Sequence, residues 1–389
     1  MISDALTGRT MTEVQQPRAV TIAAEDQDRH DEWDDFLTRT TGGDLTQSSG
    51  WARLKRSSGM DTHRVVLRLD GAVAGGVQLF ARRFAPLGAV AYVPYGPVTR
   101  AGLPDDAATQ LVRYLQWECH RRRIRALFVQ PPDHGGSEAV LLRAAGFRPS
   151  EVDVAPSASL RLDLRMTTDE LVSHMSRHKR ADMRRSQREA LSVRVATRGD
   201  LRSFHELHCS SATRKGFEPA PLDYLEAMWD ELHPAGQLAI FLVSSEGTDL
   251  AGLLVTRLAG VATDRLRGFA ADRLPRRMRP NDALTLAAVD WARERGSRWY
   301  DLGGIPRPDA IALAAGTRQS DPQLLDSSAA HKFELGGEPV IYPSGLELVP
   351  NPVARLGFRM LRATGTIRRV GSLVRARGRA ATPANGSSR

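Results

Sequence analysis

The chain has 389 residues, of which 41% are hydrophobic and 25% charged, a composition typical of a folded protein with about two domains. Its two cysteines, Cys119 and Cys209, offer neither a disulfide framework nor a metal site, and we expect no bound metal. No apolar run approaches the roughly 18 residues of a membrane-spanning helix. Residues 1–16 are polar and predict a disordered N-terminus without a signal core, so we expect a cytoplasmic protein.

The net charge of +9 is concentrated at the C-terminal end. Residues 348–389 contain nine arginines and no acidic residue, whereas the rest of the chain carries 45 basic and 45 acidic residues. Apolar residues between these arginines predict a basic amphipathic tail at 351–389 that contacts an anionic membrane surface. A solvated, disordered end and an RNA-binding end are the alternatives.

The first half of the chain predicts a helix, an antiparallel set of strands and a second helix. The Asp70-Gly71 pair suits the tight turn of a hairpin between the first two strands. From the spacing of apolar residues, the elements in chain order are a helix at 33–39, strands at 64–69, 73–81 and 89–93, a helix at 105–122 and a strand at 126–130.

The second half repeats this pattern at an offset of about 175 residues. The Glu246-Gly247 pair again marks a hairpin, and Trp291 follows Trp117 by 174 positions. The predicted elements are helices at 168–174 and 201–211, strands at 238–244, 250–257 and 263–269, a helix at 281–295 and a strand at 299–302.

This order of elements resembles the acyltransferase fold of the GCN5-related (GNAT) family. It predicts an α+β protein with two tandem GNAT-like domains, each a mixed central sheet flanked by helices, followed by the basic tail. We place the first domain at 17–155, completed by 338–350, and the second at 156–337. The strand-like segment after Phe333 is expected to pack back on the first domain.

Both junctions at which a single GNAT domain would bind the pyrophosphate of acyl-CoA lack the expected glycines. The first junction is 100–104 and the second is 274–281, and each contains proline, which removes a backbone N–H donor. We therefore expect no CoA cofactor, although an acyl-CoA-dependent N-acyltransferase acting on a sugar or polysaccharide precursor remains the alternative function.

Six short motifs follow one another along the chain: Trp51-Ala-Arg-Leu-Lys55, Tyr92-Val-Pro-Tyr-Gly-Pro-Val98, His178-Lys-Arg-Ala-Asp-Met-Arg-Arg185, Ala212-Thr-Arg-Lys-Gly-Phe217, Tyr300-Asp-Leu-Gly-Gly-Ile305 and His331-Lys-Phe-Glu-Leu-Gly-Gly337. Their order and spacing resemble those of the FemABX aminoacyltransferases over about 51–350. This resemblance implies transfer of an amino acid from aminoacyl-tRNA to an amine of a peptidoglycan precursor stem peptide, with no further cofactor.

The resemblance also implies a role for Lys332 at the reaction centre. Aminolysis of a ribose ester needs an amine nucleophile and stabilisation of charge on the carbonyl oxygen, which a lysine before a Gly-Gly turn can supply. Phe333 is expected to wall the site from water, although a core position is the more ordinary role for a phenylalanine. Asp301 is our candidate for the group that accepts the proton of the amine, with a carboxylate of the substrate as the alternative.

Lys55 and Arg214 resemble the family positions that hold the diphosphate of the precursor, and Tyr95 is a candidate for peptide contact. Ion pairing at the surface and packing in the core are the ordinary alternatives for these residues. Where several relatives have tyrosines, this chain has Arg265 and Arg267, which favours a more anionic substrate.

A run of basic residues predicts one further surface. Arg180, Arg184 and Arg188 recur at helical spacing and are candidates for tRNA phosphates, with a solvated helix face as the alternative.

The expected partners are therefore lipid II or a UDP-MurNAc-peptide, aminoacyl-tRNA, and an anionic membrane at the inner face of the plasma membrane. A membrane-surface scaffold with a degenerate site is the non-enzymatic alternative.

Overall fold

The structure, a computed structural model, describes residues 19–25, 31–84, 88–186, 191–270, 279–316, 328–349 and 355. Its strands are β1 (Val20–Glu25), β2 (Asp61–Leu69), β3 (Ala72–Phe84), β4 (Gly88–Val93), β5 (Val98–Thr99), β6 (Ile124–Val129), β7 (Arg148–Pro149), β8 (Ala158–Asp163), β9 (Ser192–Val195), β10 (Leu238–Ser245), β11 (Thr248–Leu258), β12 (Val261–Phe269), β13 (Trp299–Gly304), β14 (Glu338–Ile341) and β15 (Leu346–Leu348). Its helices are α1 (Asp31–Arg39), α2 (Ser49–Ser57), α3 (Asp105–Arg121), α4 (Gly136–Ala144), α5 (Thr168–His174), α6 (Arg177–Ser186), α7 (Leu201–Lys215), α8 (Leu222–Leu232), α9 (Pro280–Glu294), α10 (Arg307–Ala314) and α11 (Ser328–Glu334).

The strands form two mixed sheets, each at the centre of one structural unit, and β15 from the end of the described chain belongs to the first. The first sheet has the order β1-β2-β3-β4-β6-β15-β7, with β5 paired to β3, and the second has the order β14-β8-β13-β12-β11-β10-β9. In each sheet an antiparallel meander leads to one parallel pair, β4 with β6 and β12 with β13. The internal repeat read from the sequence is thus a repeat of topology.

The hairpin turns form where the sequence predicted them. Asp70 and Gly71 have φ angles of 53° and 84°, and Glu246 and Gly247 have φ angles of 50° and 78°. Two successive residues in the left-handed region make the turn whose twist matches that of the flanking strands. The Asp-Gly and Glu-Gly pairs therefore determine where each meander reverses.

The end of the described chain divides between the two sheets, which corrects one expectation. β14, expected to help complete the first domain, instead pairs with β8 of the second sheet, Val340 lying opposite Ser159. Only β15 returns to the first sheet, where it inserts between β6 and β7. The reason is that β8 pairs with β13 along one edge only, so that its other edge is open and pairs with β14.

A shared hydrophobic core holds the two units against each other. It contains Trp33 and Phe80 from the first unit and Phe204 and Leu225 from the second, all almost completely buried. Helices α2 and α8 pack across this boundary. Burial of side chains this large contributes about 2 kcal/mol or more for each of them, so the boundary is packed like a domain interior. No helix of the described residues is long and apolar enough to span a bilayer.

The two parallel pairs differ at their carboxyl ends. The β4–β6 ladder continues to the last residue of each strand, Val93 lying opposite Val129. The β12–β13 ladder ends where Thr263 lies opposite Asp301, although β12 continues to Phe269 and β13 to Gly304. Beyond this point β12 and β13 no longer pair with each other, although β12 stays paired with β11 up to Phe269 and Gly304 pairs with Ser159 of β8.

Candidate functional site

A cavity of about 470 Å³ lies between the two units, and in the second unit its wall runs from the turn between β11 and β12 to Gly304 at the carboxyl end of β13. The first unit contributes Tyr95 and Asp133, which follow β4 and β6. The second contributes Asp264 of β12, Asp301 of β13 and Lys332 of α11. Because loops that follow parallel strands meet at one edge of a sheet, residues far apart in sequence converge here.

Lys332 lies where the β12–β13 ladder has ended. Its Nζ donates a 2.7 Å hydrogen bond to the carbonyl oxygen of Gly304. A Cβ placed on Gly303 would lie 3.3 Å from this Nζ, so the glycine leaves room for the ammonium. Burial lowers the pKa of Lys332 below its ordinary value, although Asp264 and Asp301 oppose the shift. The predicted lysine is thus a half-buried cation on the cavity wall.

Asp301 is held by donors from three directions. Its Oδ2 accepts hydrogen bonds from the Ser159 hydroxyl (2.9 Å) and from Arg161 Nε (3.1 Å), and its Oδ1 accepts from the Gly303 N–H (2.8 Å). The side chain is almost completely buried. Proton abstraction needs a lone pair within reach of the substrate, so this geometry favours a role in shaping the β13 end over the role of general base.

Arg161, which the sequence did not single out, connects the two units at the cavity wall. Its guanidinium forms an ion pair with Asp133 of the first unit and another with Asp301 of the second. Its Nη2 also donates a 3.0 Å hydrogen bond to the Tyr342 hydroxyl. The alternation of polar residues along β8 was the only sequence signal for it, because its partners are 28, 140 and 181 positions away.

Tyr95 lines the cavity with its ring rather than its hydroxyl. The hydroxyl donates a 3.0 Å hydrogen bond to the Pro156 carbonyl, and the ring centroid lies 4.9 Å from that of Tyr342. Burial raises the pKa of Tyr95 well above its ordinary value. Contact with a substrate peptide would therefore be made through the ring edge.

Lys55 and Arg214 do not line the cavity. Lys55 is buried, and its Nζ lies 5.4 Å from the ring centroids of Trp51 and of Tyr224. Arg214 is exposed, with its guanidinium 4.1 Å from the ring of Phe269. Neither of the two cations that we expected to bind a diphosphate therefore lines the cavity, and that role stays a prediction.

Arg265 and Arg267 have different surroundings despite their proximity in β12. The register between β11 and β12 shifts at Leu254, so that Arg265 is an extra residue in its strand. Such a bulge re-aims a side chain, and Arg265 lines the cavity as its neighbour Asp264 does. Arg267 instead forms a 2.6 Å ion pair with Asp264.

Behind Lys332 lies a buried charged cluster of Lys179, Asp282 and His331. Lys179 Nζ is 2.9 Å from Asp282 Oδ1 and 3.2 Å from His331 Nδ1. Burial lowers the pKa of His331 from 6.5 to about 3, with Lys179 adding to the effect. Phe333 is half-buried and packs against the hydrophobic core of the second sheet, which is the ordinary position for such a residue.

The candidate tRNA residues fall into three situations. Arg180 donates through Nη1 to the carbonyl oxygens of Ser173 (3.1 Å) and Met175 (2.6 Å), which satisfies the end of α5. Arg184 is exposed on α6. Arg188 lies outside the described residues. A phosphate-binding face on α6 stays a prediction, with Arg184 as its best-placed member.

Sequence comparison connects this geometry to known acyltransferases. A family model described as an acetyltransferase (GNAT) domain matches residues 175–309. The lipid II:glycine glycyltransferase of Staphylococcus haemolyticus is 28% identical over 227 residues, which are 55% of this chain and 54% of that protein. The enzyme of the same name from Staphylococcus aureus (strain MRSA252) is 26% identical over 223 residues, 54% of this chain and 53% of that protein. The chain thus spans about half the length of the curated relatives it matches.

Comparison with solved structures concerns the fold. The crystal structure of FemX covers 86% of this chain and 99% of its own, with a TM-score of 0.73 and 19% identity. A tandem GNAT protein from the clavulanic acid biosynthesis pathway covers the same shares, with a TM-score of 0.52 and 14% identity. The tandem GNAT-like α+β fold is confirmed, and so is the resemblance to the FemABX family.

Proposed function

We propose that this chain is an aminoacyltransferase that acylates an amine of a peptidoglycan precursor stem peptide, with aminoacyl-tRNA as the donor. The single observation that carries the proposal is the half-buried Lys332 ammonium at the end of the β12–β13 ladder, inside a cavity shared by both units. The names of the curated relatives support lipid II as the acceptor and glycine as the transferred residue to test first.

The reaction needs one bond to form and one to break. The acceptor amine, in its neutral form, attacks the ester carbonyl carbon; a C–N bond forms, the C–O bond to ribose breaks, and the amine proton ends on the ribose oxygen. During attack, negative charge develops on the carbonyl oxygen. The Lys332 ammonium is a half-buried cation on the cavity wall, and a positive charge placed there stabilises the developing oxyanion.

The backbone around Lys332 supports this role. The 2.7 Å hydrogen bond to Gly304 holds the side chain in one orientation and uses one of its three N–H donors. The remaining two can reach a carbonyl oxygen that enters the cavity. Preorganisation of this kind removes the cost of reorienting the donor as the charge develops.

A transfer assay with charged tRNA and lipid II tests the proposal. We expect Lys332→Ala to lower kcat by about 100-fold or more. Lys215→Ala is the matched control, because Lys215 is close enough to influence the pKa of Lys332 but does not line the cavity. Full activity of Lys332→Ala would contradict the assigned role.

An acyl-CoA donor is the second candidate, since the matched family model is an acetyltransferase domain. Of the second junction at which a pyrophosphate would bind, 274–281, residues 274–278 lie outside the described residues. Isothermal titration with CoA thioesters separates the candidates: saturable CoA binding combined with indifference to charged tRNA would favour the acetyltransferase-like donor.

We further propose that the chain acts at the cytoplasmic face of the membrane and contacts anionic lipid through the basic tail at 351–389. The support is the concentration of nine arginines after residue 347. Co-sedimentation with vesicles containing anionic lipid tests this, comparing the full chain with one ending at residue 350. Equal sedimentation of the two would contradict a membrane role for the tail.

A further inference from the structure

The aspartates and arginines of the cavity wall do not all pair with one another. All four aspartates of the lining already accept hydrogen bonds from the protein. Asp44 accepts from the Thr46 N–H and hydroxyl, and the other three are engaged by arginines: Asp133 and Asp301 by Arg161, and Asp264 by Arg267.

Three arginines of the same lining form no ion pair with a carboxylate of the described residues, although the charge of Arg298 helps to lower the pKa of Asp163. Arg257 donates to the Arg295 carbonyl (2.6 Å), and Arg265 donates through Nε to the Thr256 hydroxyl (2.9 Å). Arg298 stacks its guanidinium over the Trp299 ring at 5.4 Å. Each keeps N–H donors without an anion, and a guanidinium binds oxyanions best through two parallel hydrogen bonds.

The fold places two of these arginines at one end of the cavity. Arg257 and Arg298 flank the turn between β11 and β12, because Arg257 pairs with Ala262 and the Arg298 N–H binds the Gly260 carbonyl at 2.7 Å. Arg265 lines the same cavity from the bulge of β12, and its guanidinium lies 5.4 Å from the ring centroid of Trp51. We name Arg257, Arg265 and Arg298 the arginine trio.

The distance from the arginine trio to the reaction centre follows from β13. Trp299 begins this strand beside Arg298, and Gly304, which accepts the hydrogen bond from Lys332, ends it. On the neighbouring strand β8 their partners Asp163 and Ser159 are four residue steps apart, which span roughly 13 Å. A substrate lying along β13 therefore reaches Arg298 with one end and Lys332 with the other.

We propose that the arginine trio is an oxyanion-binding subsite that recognises a carboxylate or phosphate of the acceptor, roughly 10–16 Å from the amine that is acylated. This inference rests on the proposed function, since it takes Lys332 as the reaction centre. It assigns the acceptor to a class: an extended molecule with an amine at one end and an oxyanion several bonds away.

Two sources can supply this oxyanion, a carboxylate of the stem peptide or the diphosphate that links the sugar to its carrier. Three probes separate them: a UDP-MurNAc-pentapeptide, the same molecule with its peptide carboxylates converted to carboxamides, and the free pentapeptide. Each is titrated calorimetrically into the full chain without donor, so that binding is measured apart from transfer.

We expect the variants Arg257→Gln, Arg265→Gln and Arg298→Gln each to weaken binding of UDP-MurNAc-pentapeptide about tenfold. Arg295→Gln is the matched control, because Arg295 is exposed, stacks on Trp291 and does not line the cavity. If the source is a carboxylate, amidation weakens binding to the wild-type chain and abolishes the effect of the substitutions. If the source is the diphosphate, the free pentapeptide binds the wild-type chain more weakly than UDP-MurNAc-pentapeptide does, and the substitutions no longer change its binding.

Two results would overturn the subsite. One is wild-type affinity for all three probes in a triple Gln variant that retains its circular dichroism spectrum. The other is absence of binding of every probe to the wild-type chain. Failure of the proposed function gives a different result from failure of the subsite. The acceptor then still binds in a manner that depends on the arginine trio, but no amino acid is transferred from aminoacyl-tRNA.

Discussion

Lys179 and Asp282 form an ion pair of 2.9 Å in which both side chains are almost completely buried. The pair joins α6 to α9, and the Lys179 ammonium also lies 3.2 Å from Nδ1 of His331, on α11. Lys332 is the next residue of that helix. A buried pair of charges thus connects three helices immediately behind the proposed reaction centre, and it makes Lys179 a positioning residue.

Loss of one partner of this pair should be more damaging than loss of both. Lys179→Met leaves the Asp282 carboxylate buried without compensation, which costs about 3–5 kcal/mol of unfolding free energy. The double variant Lys179→Met/Asp282→Leu should recover most of this loss, because an apolar pair of similar volume replaces the charges. Urea unfolding monitored by circular dichroism measures both. A double variant as unstable as Lys179→Met would contradict the explanation.

Acid should destabilise the protein partly through His331. Burial holds its folded-state pKa at about 3, against 6.5 in the unfolded chain, so the unfolded state binds more protons between these values. The neutral imidazole therefore makes its full contribution to stability above pH 6.5, and this contribution is lost as the pH falls towards 3. At pH 5 we expect the free energy of unfolding to be lower by about 1 kcal/mol, after allowance for screening.

Substitution tests this assignment directly. His331→Gln should flatten the dependence of unfolding free energy on pH between 6.5 and 4, when urea midpoints are compared across that range. His63→Gln is a useful comparison, since burial also lowers the pKa of His63, to about 4, at a place remote from the cavity. An unchanged slope in His331→Gln would count against the buried neutral imidazole.

The alkaline limit of activity should belong to Lys332. Because burial lowers its pKa below 10.5, transfer that needs the ammonium should decline at a lower pH than an ordinary lysine would allow. In Lys332→Arg we expect a kcat reduced about tenfold or more by the bulkier guanidinium, but a decline displaced to higher pH. Rates are measured across pH with an enzyme-free control for ester hydrolysis. If the activity of the wild type and that of Lys332→Arg declined at the same alkaline pH, this prediction would be contradicted.

The two roles considered for Asp301 predict different kinetics. If the carboxylate only shapes the end of β13, Asp301→Asn should keep transfer within about tenfold of wild type, because the amide oxygen still accepts from the Gly303 N–H and the amide nitrogen can donate to the Ser159 hydroxyl. If it removes the amine proton, the loss should be about 100-fold or more. Single-turnover transfer rates distinguish these outcomes, and the engaged lone pairs make us expect the first.

Gly303→Ala should move the Lys332 ammonium. The residue has φ +84°, and a Cβ would lie 3.3 Å from both Lys332 Nζ and the Asp264 carbonyl oxygen. We expect a loss of about 1 kcal/mol in stability from the backbone conformation and an additional loss of transfer activity of about tenfold. Gly296→Ala is the matched control, since φ is +73° and nothing lies within 4 Å of its Cβ. Equal activity of the two variants would contradict the contact.

Local sequence pattern determined most elements of this protein. The two hairpins follow from Asp70-Gly71 and Glu246-Gly247, and helix α3 ends one residue before the predicted position. These features depend on neighbours a few residues away, which is why periodicity and turn chemistry suffice. The repeat of these elements was enough to predict the tandem fold.

The sequence also brought Lys332 into consideration, through its motif. Lys179 likewise lies in one of the six motifs, but its role depends on Asp282, 103 positions away. Arg257 and Arg298 carried no local signal, since arginine is abundant throughout the sequence, and Arg161 had only the alternation of polar residues along β8.

Only the tertiary structure decided which charged residues share the cavity. Neither Lys55 nor Arg214 lines it. Lys55 is on α2, which packs against α8, and the guanidinium of Arg214 lies over the Phe269 ring. β14 joined the second sheet because β8 presents an open edge there. Such outcomes depend on which strand edges and helix faces meet, and that is a property of the whole packed chain rather than of any window of its sequence.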